Sequence, residues 1–260
     1  MGNKDLEIET TGPWPLVTFW ETVALSTTND LYFENYVKRN DLDLRELRKD
    51  GDRRLDAKIE TLKHHPEIKL AEFGTRRRFS SDWQNHVIDR LEAEAPESYL
   101  GTSNVEESKR NGTPPIGSYA HEMEMTYAAI DGPQDATQEV LDDWRGTYGD
   151  DLGIALSDTF TSDQFMHAFT KDRAEVWSGV RHDSGDPFEF GEKVIGFYEG
   201  LGINPKTKTI LFSDSLDVPT MVKLQGSVRR PRPCRVRCGH EPDERPWPRA
   251  AECGDEGEGG

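Results

Sequence analysis

The densest chemistry in the sequence lies in GVRHDSGDP, residues 179–187. It packs a guanidinium, an imidazole, two carboxylates and a glycine turn into nine residues. Successive residues of a strand alternate faces, so Arg181 and Asp183 share one side. Such a pair suits a substrate with an anionic phosphate and diol hydroxyls. The plainer reading is a salt-bridged turn, with Asp186 as a helix cap. A second segment, PIGSYAHE (115–122), puts His121 beside Glu122. A lone histidine is more often structural, but one oriented by a carboxylate at the mouth of a barrel can act as a nucleophile. A third, EFGTRRRFS (72–80), sets three arginines after an aromatic residue. In an extended chain Arg76 and Arg78 would share one side and Arg77 the other. One arginine would hold a phosphate or pyrophosphate while Phe73 stacks on a ring; the alternative is an exposed basic patch. His64 and His65 read as surface residues, and His86 and His167 as surface or satisfied packing residues.

These segments need elements to position them. Residues 5–25 read as a strand pair, LEIE and LVTFW around a TGPWP turn. Residues 27–66 read as helical, with Leu55, Ile59 and Leu62 on one apolar stripe. Then short apolar runs recur, each ending in polar residues and usually followed by a helical pattern: IKLAEFGTRRR, SYLGTSN, PIGSYAHE, LGIALSDT, WSGVRHDSGD and TILFSDS. Repeated strand–helix units imply a parallel sheet with crossover helices. Polar residues at the C-terminal ends of such strands are how a β/α barrel builds its active site. Those ends carry Arg76, Arg77, Ser103, His121, Glu122, Asp158, Arg181, Asp183 and Asp214. In the fifth unit Asp186 is the expected N-cap, Pro187 the first helical residue and Glu189 the third. Phe190, Val194 and Phe197 make its buried stripe, and Gly200 its C-cap. No glycine-rich dinucleotide loop or P-loop is present.

Composition narrows the partners. The chain has 260 residues, 32 Lys+Arg against 49 Asp+Glu, and a net charge of −17. Mean hydropathy is −0.78. This argues against a general nucleic-acid binder, which needs a basic surface. No apolar run approaches the ~20 residues a spanning helix needs, and no basic-then-apolar leader opens the chain. No membrane and a cytoplasmic location are therefore expected. Cys234, Cys238 and Cys253 all fall in the last stretch and offer neither a disulfide framework nor good zinc spacing.

From Leu224 the composition changes. The tail has seven Arg, no Lys and seven acidic residues, and it lacks periodicity. It reads as disordered over 224–260, either as a natural tail or as an out-of-frame translation of GC-rich DNA.

Together GPW…FWE (12–21), EFGTRRRFS (72–80), GTSNV (101–105), PIGSYAHE (115–122), LGIALSDTFTSDQF (152–165), GVRHDSGDPFEFGEK (179–193) and LGINPKTKTILFSDSLD (201–217) resemble nicotinate phosphoribosyltransferase in order and spacing. The resemblance covers about residues 5–223. It implies an α/β chain of the type II phosphoribosyltransferase kind. Residues 1–25 would be the remnant of an α/β sandwich domain, and 26–223 a partial irregular β/α barrel carrying catalysis. The implied reaction joins nicotinate to phosphoribosyl pyrophosphate, giving nicotinate mononucleotide and pyrophosphate, with coupled ATP hydrolysis in NAD biosynthesis. Phe73 would stack on the pyridine ring, Arg76 and Arg181 would hold anionic groups, and Ser103 would lie near the nicotinate carboxylate. His121 would be the phosphohistidine with Glu122 beside it, and Asp183 would contact the ribose. Mg²⁺ and ATP are implied, with no protein metal site and no tightly bound organic cofactor. The family is commonly dimeric, so a homodimer is expected of the full-length enzyme.

Two departures bear on activity. The family has a further N-terminal segment that contacts nicotinate across the dimer. It also continues after the position of Lys223 through a glycine-rich strand end that binds the ribose 5-phosphate. The alternative readings are an inactive or merely protein-binding fragment of that enzyme, and a nicotinamide-specific relative. The latter is disfavoured because GTSNV offers Ser103 rather than a carboxylate to the base. The chain as given is expected to have little activity.

The tail reading has its own test. Amides of 226–260 are expected to exchange fast while those of 152–217 exchange slowly; protected amides across 230–250 would overturn it.

Overall fold

The computed structural model describes residues 6–214 and 216–227. The readings of the three cysteines and of the tail beyond Ser227 fall outside these residues; residues 224–227, read as the start of the disordered tail, are instead helical, with Leu224 buried. In chain order the elements are α1 (Trp14–Val17), α2 (Trp20–Arg39), α3 (Leu44–His64), β1 (Leu70–Glu72), a 3₁₀ turn (Gly74–Arg77), α4 (Ser81–Glu94), β2 (Tyr99–Thr102), α5 (Val105–Asn111), α6 (His121–Asp131), α7 (Ala136–Tyr148), β3 (Ile154–Leu156), α8 (Ser162–Ala168), α9 (Lys171–Val176), β4 (Gly179–His182), α10 (Pro187–Gly200), a second 3₁₀ turn (Pro205–Thr207), β5 (Thr209–Phe212) and α11 (Val218–Ser227). Among the described residues no helix is long and apolar enough to cross a membrane.

The chain divides into two compact units. The described part of the first is 6–58 and 74–87; that of the second is 59–73 and 88–227 apart from 215. In the first unit the expected strand pair does not form. Residues 6–13 are irregular, and LVTFW is split between α1, a turn and the start of α2. Pro15 sits in the first turn of α1, where its fixed φ favours a helix. An isolated two-stranded hairpin would in any case be marginal. The helical reading of 27–66 resolves into α2 and α3, with a break at Asn40–Asp43 where Asp41 takes a positive φ of 49°. Leu55, Ile59 and Leu62 are buried as their spacing requires.

Among the described residues the second unit is mixed α/β with two parallel sheets and no closed barrel. β1 pairs with β2, and a three-stranded sheet runs β3-β4-β5. Five of the six apolar runs are strands. The sixth, PIGSY, is irregular chain leading into α6. The β3-β4-β5 sheet is buried nearly throughout: Leu156, Val180, Leu211 and Phe212 are all inaccessible or nearly so. α10 covers it with Phe190, Val194, Ile195 and Tyr198. Asp186 caps this helix by accepting from the backbone N–H groups of Phe188 (2.8 Å) and Glu189 (3.0 Å). The third buried aromatic of the stripe is Tyr198 rather than Phe197, which is only half-buried. The helix closes at Leu201, and Gly202 rather than Gly200 takes the left-handed conformation, at φ 74°.

One glycine lets the central strand approach its neighbour. A Cβ built on Gly179 would lie 2.0 Å from the Thr209 carbonyl oxygen, a backbone atom that cannot move aside cheaply. Gly179→Ala is therefore expected to cost ~1–3 kcal/mol or more by overpacking. Gly146→Ala, inside α7 with open space around it, is expected to add ~0.5–1 kcal/mol. Urea midpoints followed by far-ultraviolet circular dichroism check both; equal midpoints for the two variants would contradict the packing described.

Candidate functional site

The strands are short, so their last residues and the loops just after them hold most of the polar chemistry. Asp158 follows β3, Arg181 ends the inward face of β4 with Asp183 just beyond it, and Ser213 follows β5. Parallel pairing in register (Leu156↔Arg181↔Leu211) brings these positions side by side. His121 reaches them as the first residue of α6.

The His121 ring stands between two carboxylates. Its Nε2 is 3.2 Å from Asp158 Oδ1 and its Nδ1 is 3.7 Å from Asp183 Oδ2. Only the first is close enough for a hydrogen bond. That bond, with the charges of Asp158 and Asp183, holds the His121 imidazole above its ordinary 6.5 despite partial burial. Burial alone would push the Asp158 carboxyl up. The hydrogen bonds from His121, from the Ser184 hydroxyl (2.6 Å) and from the Asp183 N–H (3.0 Å) outweigh it and hold Asp158 below the usual carboxylate range.

Arg181 is fixed by three partners. Its Nε donates to Ser213 Oγ at 2.8 Å, Nη1 to Ser118 Oγ at 3.1 Å, and Nη2 to Asp183 Oδ2 at 2.8 Å. Ser213 Oγ in turn donates to Asp183. A guanidinium has five N–H groups, so two remain for an anion while the plane is held. His182, between Arg181 and Asp183, points to the opposite face against Phe190 and Phe212, with ring centroids 4.7 and 5.7 Å away. Burial holds it below 6.5. The alternation of a strand thus removes one imidazole of the motif from the site.

The irregular segment before α6 ties the two sheets. The Ile116 N–H donates to the Thr102 carbonyl at the end of β2 (3.0 Å), while Ser118 meets Arg181 at the end of β4. Phe73 and Ser103 follow β1 and β2, linked by the Ser103 N–H to the Glu72 carbonyl at 2.8 Å. The structure therefore brings His121, Arg181 and Asp183 into contact, and sets Phe73 and Ser103 at adjacent strand ends. Glu122 lies half-buried in the first turn of α6, but the carboxylate bonded to His121 is that of Asp158, 37 residues away.

Arg76 belongs to the first unit, where it pairs with Glu21 at 2.5 Å and its carbonyl accepts from Asn29. The expected alternation of Arg76 and Arg78 against Arg77 does not apply, because Gly74–Arg77 is a 3₁₀ turn. Arg78 instead makes a two-pronged pair with Asp30 at 3.2 and 3.0 Å. Sequence reasoning placed Asp158 at a strand end without pairing it to His121, and passed over Ser118 and Ser213. The signal was available: Asp158, Asp183 and Ser213 are each a polar residue within two positions of the end of a buried strand.

A family model described as the nicotinate phosphoribosyltransferase (NAPRTase) family matches residues 68–232. Nicotinate phosphoribosyltransferase of Chromobacterium violaceum is 39% identical over 232 residues, covering 85% of this chain and 56% of the relative. The crystal structure of nicotinate phosphoribosyltransferase from Vibrio cholerae superposes with a TM-score of 0.82 at 33% identity, over 92% of this chain and 57% of that one. That from Porphyromonas gingivalis gives 0.76 at 32%, over 88% and 57%. The chain thus spans a little over half the length of the relatives it matches.

The raised His121 value makes a prediction. Because its folded value lies above the unfolded one, its charged form stabilises the fold below about 6.5, and this contribution is lost as pH rises through the folded value. Asp158→Asn removes the leading cause, so the His121 midpoint followed by ring-carbon NMR is expected to fall. An unchanged midpoint would show that Asp158 does not hold the ring.

Proposed function

Because this chain belongs to the nicotinate phosphoribosyltransferase family, we propose that its second unit carries the phosphoribosyl-transfer site of such an enzyme, joining nicotinate to phosphoribosyl pyrophosphate with ATP hydrolysis coupled through His121. The observation that carries this reading is the His121 imidazole held between Asp158 and Asp183 beside a fixed Arg181. Asp158 holds the Nε2 proton, which leaves Nδ1 as the nucleophilic atom. Nδ1 attacks the γ-phosphorus of ATP, the bond to ADP breaks, and the phosphoryl group stays on the ring until water takes it.

Transfer to nicotinate breaks the bond between the ribose carbon and pyrophosphate, with positive charge growing on the ring. Fixed donors aimed at the leaving oxygens are the largest available help. The two N–H groups of Arg181 not used by the protein serve the anion. Asp183, at the same mouth, suits ribose hydroxyls. Phe73 and Ser103 are assigned to the pyridine ring and its carboxylate on the family resemblance. Among the described residues no three His, Cys, Asp or Glu side chains are grouped to hold a metal ion. Mg²⁺ commonly travels on substrate phosphates. A homodimer in the cytoplasm is the setting we attach to this reading, again on the resemblance.

Incubated with γ-labelled ATP, a full-length version of the enzyme is expected to take label on His121. The rate should rise with pH through the elevated His121 midpoint, because only the neutral ring has a free lone pair. His121→Ala is expected to lose ~10²–10⁴ of the ATP-coupled rate. Label on another residue, or a rate that falls as pH rises through the midpoint, would overturn the assignment.

A further inference from the structure

Behind His121, one turn along α6, lies a buried carboxyl that the reaction above does not use. Glu124 is 2% exposed. No Lys or Arg pairs with it among the described residues. Its neighbours are hydroxyls from three elements. Tyr119 Oη, from the segment entering α6, is 3.2 Å from Glu124 Oε1; Thr137 Oγ1 of α7 is 3.3 Å from Oε2; Thr159, just after β3, lies beside it. The His121 ring acts on it as a cation. An ionised carboxylate so buried and unpaired is costly, and the usual outcome is neutralisation.

The Tyr119 hydroxyl carries one proton but lies 3.2 Å from two oxygens, Glu124 Oε1 and the Leu156 carbonyl at the end of β3. A carbonyl only accepts. If Tyr119 donates to Leu156, its contact with Glu124 needs a proton from the carboxyl. One arrangement then serves these four groups: Thr137 donates to Glu124, Glu124 to Tyr119, and Tyr119 to Leu156.

We propose that Glu124 is a positioning residue for His121, a neutral carboxylic acid that locks Tyr119 onto β3 and so fixes the turn that presents the imidazole to Asp158. The segment 116–121 has no strand ladder to hold it, yet Ser118 and His121 both act in the site. Tyr119 is their buried anchor, 2% exposed and packed near Trp144 and Trp177, with ring centroids 5.4 and 6.4 Å away. Burial pushes the Glu124 carboxyl up, as the arrangement needs, although its hydroxyl neighbours and His121 favour the ionised form. The proposal rests on the phosphoryl-acceptor reading only for what the held ring is for.

The test uses the whole chain, labelled with ¹³C at glutamate carboxyls and histidine rings, without ATP. The Glu124 carboxyl signal is expected at its protonated position at neutral pH. Glu124→Gln, whose amide donates to Tyr119 and accepts from Thr137, should leave the His121 midpoint in place. Glu124→Leu and Tyr119→Phe should lower it towards 6.5. An ionised Glu124 signal, or a lowered midpoint in Glu124→Gln, would overturn the neutral acid. An unchanged midpoint in Tyr119→Phe would overturn the positioning role, and this variant decides if Glu124→Leu does not fold. Failure to find label on His121 from ATP would leave these results standing, so the two readings fail separately.

Discussion

An imidazole set beside two carboxylates at the ends of adjacent parallel strands is the constraint around which the second unit is organised. The hydrogen bond between His121 and Asp158 works only if α6 begins where β3 ends. That in turn needs the segment 116–121 pinned at several points, since it has no ladder of its own. Asp158 spends its other oxygen on the Asp183 N–H and the Ser184 hydroxyl, so the turn after β4 is held by the same carboxylate that holds the histidine. Breaking one contact leaves several groups unpaired together, which is how a polar network specifies a single arrangement.

The sheet supplies rigidity for this network. β3, β4 and β5 are only three or four residues long, yet their side chains are buried almost completely, and α10 closes one face. Gly179 permits the close pairing of β4 with β5 that sets Arg181 beside Ser213. Arg181 is thus held by packing beneath it and by hydrogen bonds at its head. A guanidinium preorganised in this way loses little freedom when an anion arrives.

Polar groups in this unit divide by face. Arg181 and Asp183 reach the mouth, whereas His182 between them is buried against phenylalanines and kept neutral. The same division appears on α6, where His121 faces the strand ends and Glu124, one turn on, faces the interior. Burial penalises a charge unless it is paired or hydrogen-bonded, as Asp158 and Arg181 are and His182 is not.

Much of this was legible from residue order. The apolar stripe of α3, the Asp186 cap and five of the six strands depend on neighbours within a few positions, and local spacing encodes them. The shared side of Arg181 and Asp183 follows from strand alternation alone. Local spacing failed where a partner from elsewhere decides the outcome. LEIE and LVTFW read like strands but find no strand to pair with among the described residues, and Pro15 sits in the first turn of a helix instead. PIGSY looks like the other apolar runs, yet it bridges two sheets as irregular chain. Glu122 stands next to His121 in sequence, but the first turn of a helix points successive side chains about 100° apart, so the bonded carboxylate had to come from β3. The sequence by itself determined which residues are strand ends and caps; only the tertiary structure decided that Asp158 rather than Glu122 bonds to His121, because that choice depends on which strand end lies opposite the start of α6.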